Sequence, residues 1–120
     1  MKKILFICHG NICRSPMGEF ILKDLAARAG LQDRLSIASA AVSREEIGNP
    51  VYPPARQELA AHGISCKGKT AVQVCAADYD RYRYILYMEQ ANLPRLLRIV
   101  GPDKAGKCHR LLDFTGHPGD

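Results

Sequence analysis

Cys8 and Arg14 bracket His9-Gly10-Asn11-Ile12-Cys13 in the stretch ILFICHGNICRSPMGEF. A thiolate is a strong nucleophile, and a guanidinium is a planar cation that grips two oxygens of an oxyanion at once. Around one phosphoryl group, this spacing makes Cys8 the attacking atom and Arg14 the clamp on transition-state charge. Gly10 removes a side chain where the backbone must approach closely. Asn11 tolerates the left-handed backbone of a tight turn and can hydrogen-bond across it. Several unpaired backbone N–H groups of a loop that leads from a strand to a helix amino terminus then form a nest for phosphate. Such surroundings favour thiolate over thiol at Cys8, and the Ser15 hydroxyl can donate to that sulfur.

The elements around this loop are those it needs. Lys3 to Cys8 is a continuous apolar run rich in Ile and Phe, as expected of a strand buried on both faces. From Ser15 the period becomes helical, with Gly18, Ile21, Leu22, Leu25, Ala26 and Ala29 on one face and Glu19, Lys23 and Arg28 opposite. Ser15 is a cap candidate, Pro16 suits the first turn, and Gly30 can end the helix. Further strands are expected at Leu35 to Ser39, Tyr84 to Met88 and Cys108 to Phe114. Helices are expected at Ala55 to Ala61, Ala76 to Arg81 and Asn92 to Val100, with Val42 to Pro54 and Thr115 to Asp120 as loops. Strands alternating with helices predict an α/β fold with a parallel sheet, whose ligands bind beyond the carboxyl ends of the strands. The CHGNICRS loop lies at such an end.

Composition narrows the classes. The 120 residues suit one domain, and no apolar run approaches the ~20 residues of a membrane span. MKKILFIC is too short and leads into the wrong residues for a secretion signal, so a cytoplasmic protein is expected. Five cysteines at irregular spacings exclude a disulfide framework, and no spacing suits a metal; no cofactor is expected. Cys66, Cys75 and Cys108 read as small buried hydrophobes. The net charge of +5 suits an anionic partner, but Lys and Arg are scattered, with RYRY at Arg81 to Tyr84 the densest patch. The expected partner is a phosphorylated substrate, with no nucleic acid and no membrane.

Cys8-His9-Gly10-Asn11-Ile12-Cys13-Arg14-Ser15-Pro16 resembles the signature loop of the low-molecular-weight protein tyrosine phosphatases. The similarity continues through Ser39-Ala40-Ala41, Glu46-Ile47-Gly48-Asn49-Pro50, His62-Gly63-Ile64 and Tyr84-Ile85-Leu86-Tyr87-Met88, over nearly the whole chain. It implies three layers, a four-stranded parallel sheet flanked by helices, with the phosphate loop between the first strand and first helix. It implies a phosphocysteine on Cys8, no metal, phosphotyrosine proteins as substrates and inorganic phosphate as product and inhibitor. By the same resemblance Arg14 and the backbone from His9 through Gly10, Asn11, Ile12 and Cys13 hold the phosphoryl group, while Asn11, Ser15 and Ser39 brace the loop. Cys13 stands where relatives often carry a second cysteine. It either packs as a small residue or forms a protective disulfide with Cys8 under peroxide.

Three departures from the family pattern qualify this. The family takes its general acid from an Asp-Pro pair near the carboxyl terminus, and this chain has none. Asp113 and Asp120 are the nearest carboxylates, and the expectation is a single domain over 1–120, incomplete at its carboxyl end. The last helix of relatives is also missing, and the surface so exposed is expected to allow self-association. On the substrate-facing loop, Glu45 replaces an aromatic residue of many relatives, leaving Tyr52 as a possible aromatic wall. Other classes sharing the loop are an arginine phosphatase, disfavoured by Ile12, and an arsenate reductase, disfavoured by the cysteine-free stretch YILYMEQANL. A non-catalytic oxyanion or phosphotyrosine-binding module is permitted by the missing acid, although a binder has no need of Cys8.

Overall fold

A computed structural model describes residues 2–111. Four parallel strands form one sheet: β1 (Lys2–Cys8), β2 (Leu35–Ala41), β3 (Tyr84–Tyr87) and β4 (Cys108–Arg110), in the order β2-β1-β3-β4. The helices are α1 (Arg14–Arg28), α2 (Pro53–Ala61), α3 (Asp78–Arg81) and α4 (Asn92–Val100). The expected α/β architecture is therefore present. The part of the fourth strand expected at 112–114 lies outside the described residues, as do Asp113, Asp120 and the loop over 115–120.

The central position of β1 explains its unbroken apolar run. Leu5 and Ile7 join Ala40, Val42, Ile85, Tyr87 and Leu96 in one cluster, against which Leu93, Ile99 and Val100 of α4 pack. The alternate residues Phe6 and Cys8 join Ile37 and Met88 on the face covered by Leu22 of α1. A strand lined by apolar layers on both sides has no polar face to show. Register places Cys8 opposite Ala41 and Phe6 opposite Ser39, so the β1 and β2 carboxyl ends meet at the phosphate loop. A third cluster, Val51, Ala55, Leu59 and Cys66, fixes α2 against α1 through Met17 and Phe20.

Helix α1 turns differently from its apolar pattern. Ile21 and Leu25, expected inward, are exposed, and Glu19, expected in water, is only 5% exposed. The inward stripe is Ser15, Glu19, Leu22 and Ala26, also at helical spacing, because Ser15 and Glu19 have polar partners beneath them. Gly18 lets this helix sit close to the sheet. A Cβ there would lie 3.0 Å from Cδ1 of Phe6. Gly30 ends the helical segment at φ +72°, as expected.

The cysteines divide. Cys66 is buried as expected and Cys108 is half-buried. Cys75 is exposed, because the neighbouring Ala71 and Val74 take the inward positions of its segment and the Cys75 amide turns to Asp78. Among the described residues, no helix is long and apolar enough to cross a membrane.

Candidate active site

Strand β1 ends by carrying Cys8 into the loop that becomes α1. The side chain is buried, and Sγ receives the Asn11 backbone N–H at 3.3 Å and lies 2.9 Å from the Ser15 hydroxyl. The direction of that second contact follows from its surroundings. Asn11 Nδ2 donates to Ser15 Oγ at 2.8 Å, so the hydroxyl proton is left to point at sulfur.

Asn11 organises the loop. It has φ +59°, is 1% exposed, and uses Oδ1 to accept the Val72 N–H at 3.1 Å. The strain of a left-handed non-glycine residue is offset by these side-chain bonds. Around it, the carbonyls of Cys8, His9 and Ile12 are taken by the amides of Val42, Ser43 and Tyr52. Among the described residues, the N–H groups of Gly10, Ile12 and Cys13 have no backbone acceptor. With its carbonyls turned outward, the loop suits an anion at its centre.

Ser15 is not the helix cap that its position suggests. Cys13 occupies the cap position without a side-chain bond, because the Ser15 hydroxyl is committed to Cys8 and Asn11. The Cys13 side chain packs against the α2 cluster. Arg14 extends from the first turn of α1 and its Nη2 donates to Glu89 Oε1 at 2.6 Å. Glu89 is set in place by Asn92, whose Oδ1 accepts the N–H groups of both Met88 and Glu89. At the rim, His9 Nε2 lies 3.2 Å from Glu45 Oε2, with both side chains exposed. Tyr52 is half-exposed just before α2.

A polar layer lies beneath the loop. Ser39 Oγ donates to Glu19 Oε1 at 2.5 Å, and Lys23 Nζ donates to Glu19 Oε2 at 2.6 Å. Lys69 Nζ reaches the Ser39 carbonyl at 3.1 Å and stands 3.8 Å from Glu19 Oε1. Ser39 thus meets α1 through Glu19 and is not bonded directly to the loop.

Hydrogen bonds link Cys8, Asn11 and Ser15, while the Arg14 guanidinium is turned to Glu89. Sequence reasoning missed Glu19, Lys69, Glu89 and the Val72 amide. Only Glu19 left a local signal, four residues after Ser15 and therefore on the same helical face. The other three join the site across 61 to 75 residues of chain or through Glu19.

Residues 3–120 match the family model described as low molecular weight phosphotyrosine protein phosphatase. The low molecular weight protein-tyrosine-phosphatase YfkJ of Bacillus subtilis is 40% identical over 115 residues, spanning 96% of this chain and 74% of that protein. The YfkJ crystal structure superimposes with a TM-score of 0.94 at 38% identity, covering 100% of this chain and 76% of that one. Wzb of Vibrio vulnificus, in complex with benzylphosphonate, superimposes with a TM-score of 0.84 at 29% identity, covering 98% of this chain and 77% of that one. The chain belongs to the low molecular weight phosphotyrosine protein phosphatase family.

Proposed function

We propose that this chain is a protein-tyrosine phosphatase working through a phosphocysteine on Cys8. The observation that carries this reading is the sulfur itself, buried at a strand end and held by the Asn11 amide and the Ser15 hydroxyl. In the first step the Cys8 thiolate attacks phosphorus. The S–P bond forms as the P–O bond to the aryl group breaks, and the electron pair leaves on the phenolate oxygen. Loop amides and Arg14 hold the equatorial oxygens. In the second step water attacks the phosphocysteine, releasing inorganic phosphate and returning the pair to sulfur, where Ser15 stabilises it. Phosphate, as product, competes for the same loop. The benzylphosphonate bound by Wzb is an aryl phosphate mimic, which supports phosphotyrosine as the substrate class.

The direct test is p-nitrophenyl phosphate hydrolysis by the wild type and Cys8→Ser, with vanadate binding measured on both. Loss of turnover in Cys8→Ser with vanadate binding retained supports the enzyme. Tight vanadate binding without wild-type turnover would make the loop an oxyanion-binding module.

A further inference from the structure

The RYRY stretch, the densest charged patch of the sequence, has no part in the phosphate loop. It lies at the other end of the sheet. Arg83 stands just ahead of β3, and its N–H donates to the Lys3 carbonyl of β1 at 2.9 Å. Lys3 and Cys8 sit near opposite ends of β1, so about 17 Å of extended chain separates this place from the phosphate loop. Lys3, Asp80, Arg81, Tyr82, Arg83 and Lys107 line a cleft of about 400 Å³ there.

The charges of this cleft do not cancel. Arg81 pairs with Asp78 at 3.1 Å, and Asp80 supplies one further carboxylate. Lys107 Nζ donates to the Tyr79 carbonyl at 2.6 Å and lies 4.8 Å from the centre of the Tyr79 ring. The Asp103 carboxylate is committed to the Tyr79 hydroxyl and to the amides of Lys107 and Cys108. Among the described residues, Lys3 and Arg83 have no ion-pair partner. Four cations against the carboxylates of Asp78 and Asp80 leave two positive charges. Lys3 and Arg83 repel each other, because their backbones are neighbours at the ~5 Å spacing of adjacent strands.

We propose that this cleft is a second anion site, which binds a small organic phosphate monoester with its dianion between Lys3 and Arg83. Charge selects the ligand. A phosphate dianion cancels the two unopposed positive charges, and a guanidinium grips two of its oxygens at once. Size selects an ester over free phosphate, because the cleft falls in the range of about 300–1,000 Å³ that small-molecule sites occupy. The carrying group then has the half-buried Tyr82 to rest on. Nucleic acid fits less well. Its sites follow a backbone along a groove with several stacking rings, whereas these cations share one cleft lined by a single aromatic residue. Nothing in this proposal depends on the chemistry of Cys8.

The test is an amide NMR titration of the full chain with glucose 6-phosphate, inorganic phosphate and a short single-stranded oligonucleotide as probes. The phosphorus signal of the ester reports that it stays intact. Glucose 6-phosphate is expected to give saturable shifts at Tyr82, Arg83 and Lys107, fitted separately from any at residues 9–14. Lys3→Gln and Arg83→Gln, both at exposed positions, each weaken that binding about tenfold, the worth of one charged hydrogen bond. Lys67→Gln removes an exposed charge elsewhere and leaves it unchanged. The amide spectra themselves establish that each variant is folded. Shifts confined to the phosphate loop overturn the proposal. So does equal weakening by Lys67→Gln, which would reduce the cleft to part of a general positive field. Inorganic phosphate binding the cleft as tightly as the ester, or the oligonucleotide binding it more tightly, overturns it as well. These shifts need no turnover, so a loss of the phosphatase reading and a loss of this one are told apart.

Discussion

Arg14 Nη2 donates to Glu89 Oε1 at 2.6 Å, joining the first turn of α1 to the segment that follows β3, across 75 residues. The Arg14 side chain is about half exposed, so without this partner its fork would sample many directions. One Nη2 proton on Glu89 leaves the remaining guanidinium donors for a phosphoryl group. Glu89 therefore aims Arg14. Glu89→Ala is expected to lower kcat/KM for p-nitrophenyl phosphate about tenfold, the worth of one charged hydrogen bond, and to weaken phosphate inhibition in parallel. Glu89→Gln should fall between. A rise in kcat/KM would show that Glu89 competes with substrate for Arg14.

Asn11 is the residue on which most of the loop depends. It bridges Ser15 Oγ and the Val72 N–H while holding φ +59°. Asn11→Ala loses both bonds and keeps the strained backbone, so a loss of about 2–3 kcal/mol is expected in urea unfolding. Asn11→Gly relieves the backbone but not the lost bonds, and should recover part of the stability and little of the activity. If the two variants are equally stable, backbone strain at this position is negligible.

Much of this architecture is legible in the sequence because it is local. The Cys8 to Ser15 loop, the strand before it and the helix after it are contiguous, and each follows from short-range spacing. What is not legible depends on folding over distance. The inward turn of Glu19 is hidden because its carboxylate is satisfied by Ser39, on another strand, and by Lys69, on a loop fifty residues later. Apolar periodicity is then half right for α1: Gly18, Leu22 and Ala26 face inward, whereas Ile21 and Leu25 are exposed. Ser15 misleads for the opposite reason: a cap residue and a hydroxyl committed to a sulfur look alike until the partner is seen.

Gly18 tests how tightly α1 sits on the sheet. In a free helix, Ala in its place would gain about 1 kcal/mol. Here the added Cβ would meet Cδ1 of Phe6 at 3.0 Å and Cε of Met88 at 3.3 Å, and both side chains are buried. Overpacking of that kind costs about 1–3 kcal/mol. Gly18→Ala is expected to be destabilised by about 1 kcal/mol in urea unfolding, with a weaker Ser15–Cys8 contact and lower turnover. A more stable variant would mean that the Phe6 ring yields without loss.

Cys108 gives the fold a dependence on alkaline pH far from the phosphate loop. Burial, aided by the Asp103 carboxylate, pushes its thiol up to about 11 from the ordinary 9.0. Asp103 is held there by the Tyr79 hydroxyl at 2.6 Å and by the amides of Lys107 and Cys108. Because the folded value is raised, the unfolded chain ionises first. The contribution to stability is complete below about pH 9 and is lost as pH rises toward 11. Urea midpoints of the wild type should therefore fall more steeply between pH 8.5 and 10.5, a range of about two units, than those of Cys108→Ala. Contributions from Lys69 and Tyr82, whose shifts do not involve Cys108, cancel in the comparison. Parallel slopes for the two proteins would show that Cys108 ionises as freely in the folded chain as in the unfolded one.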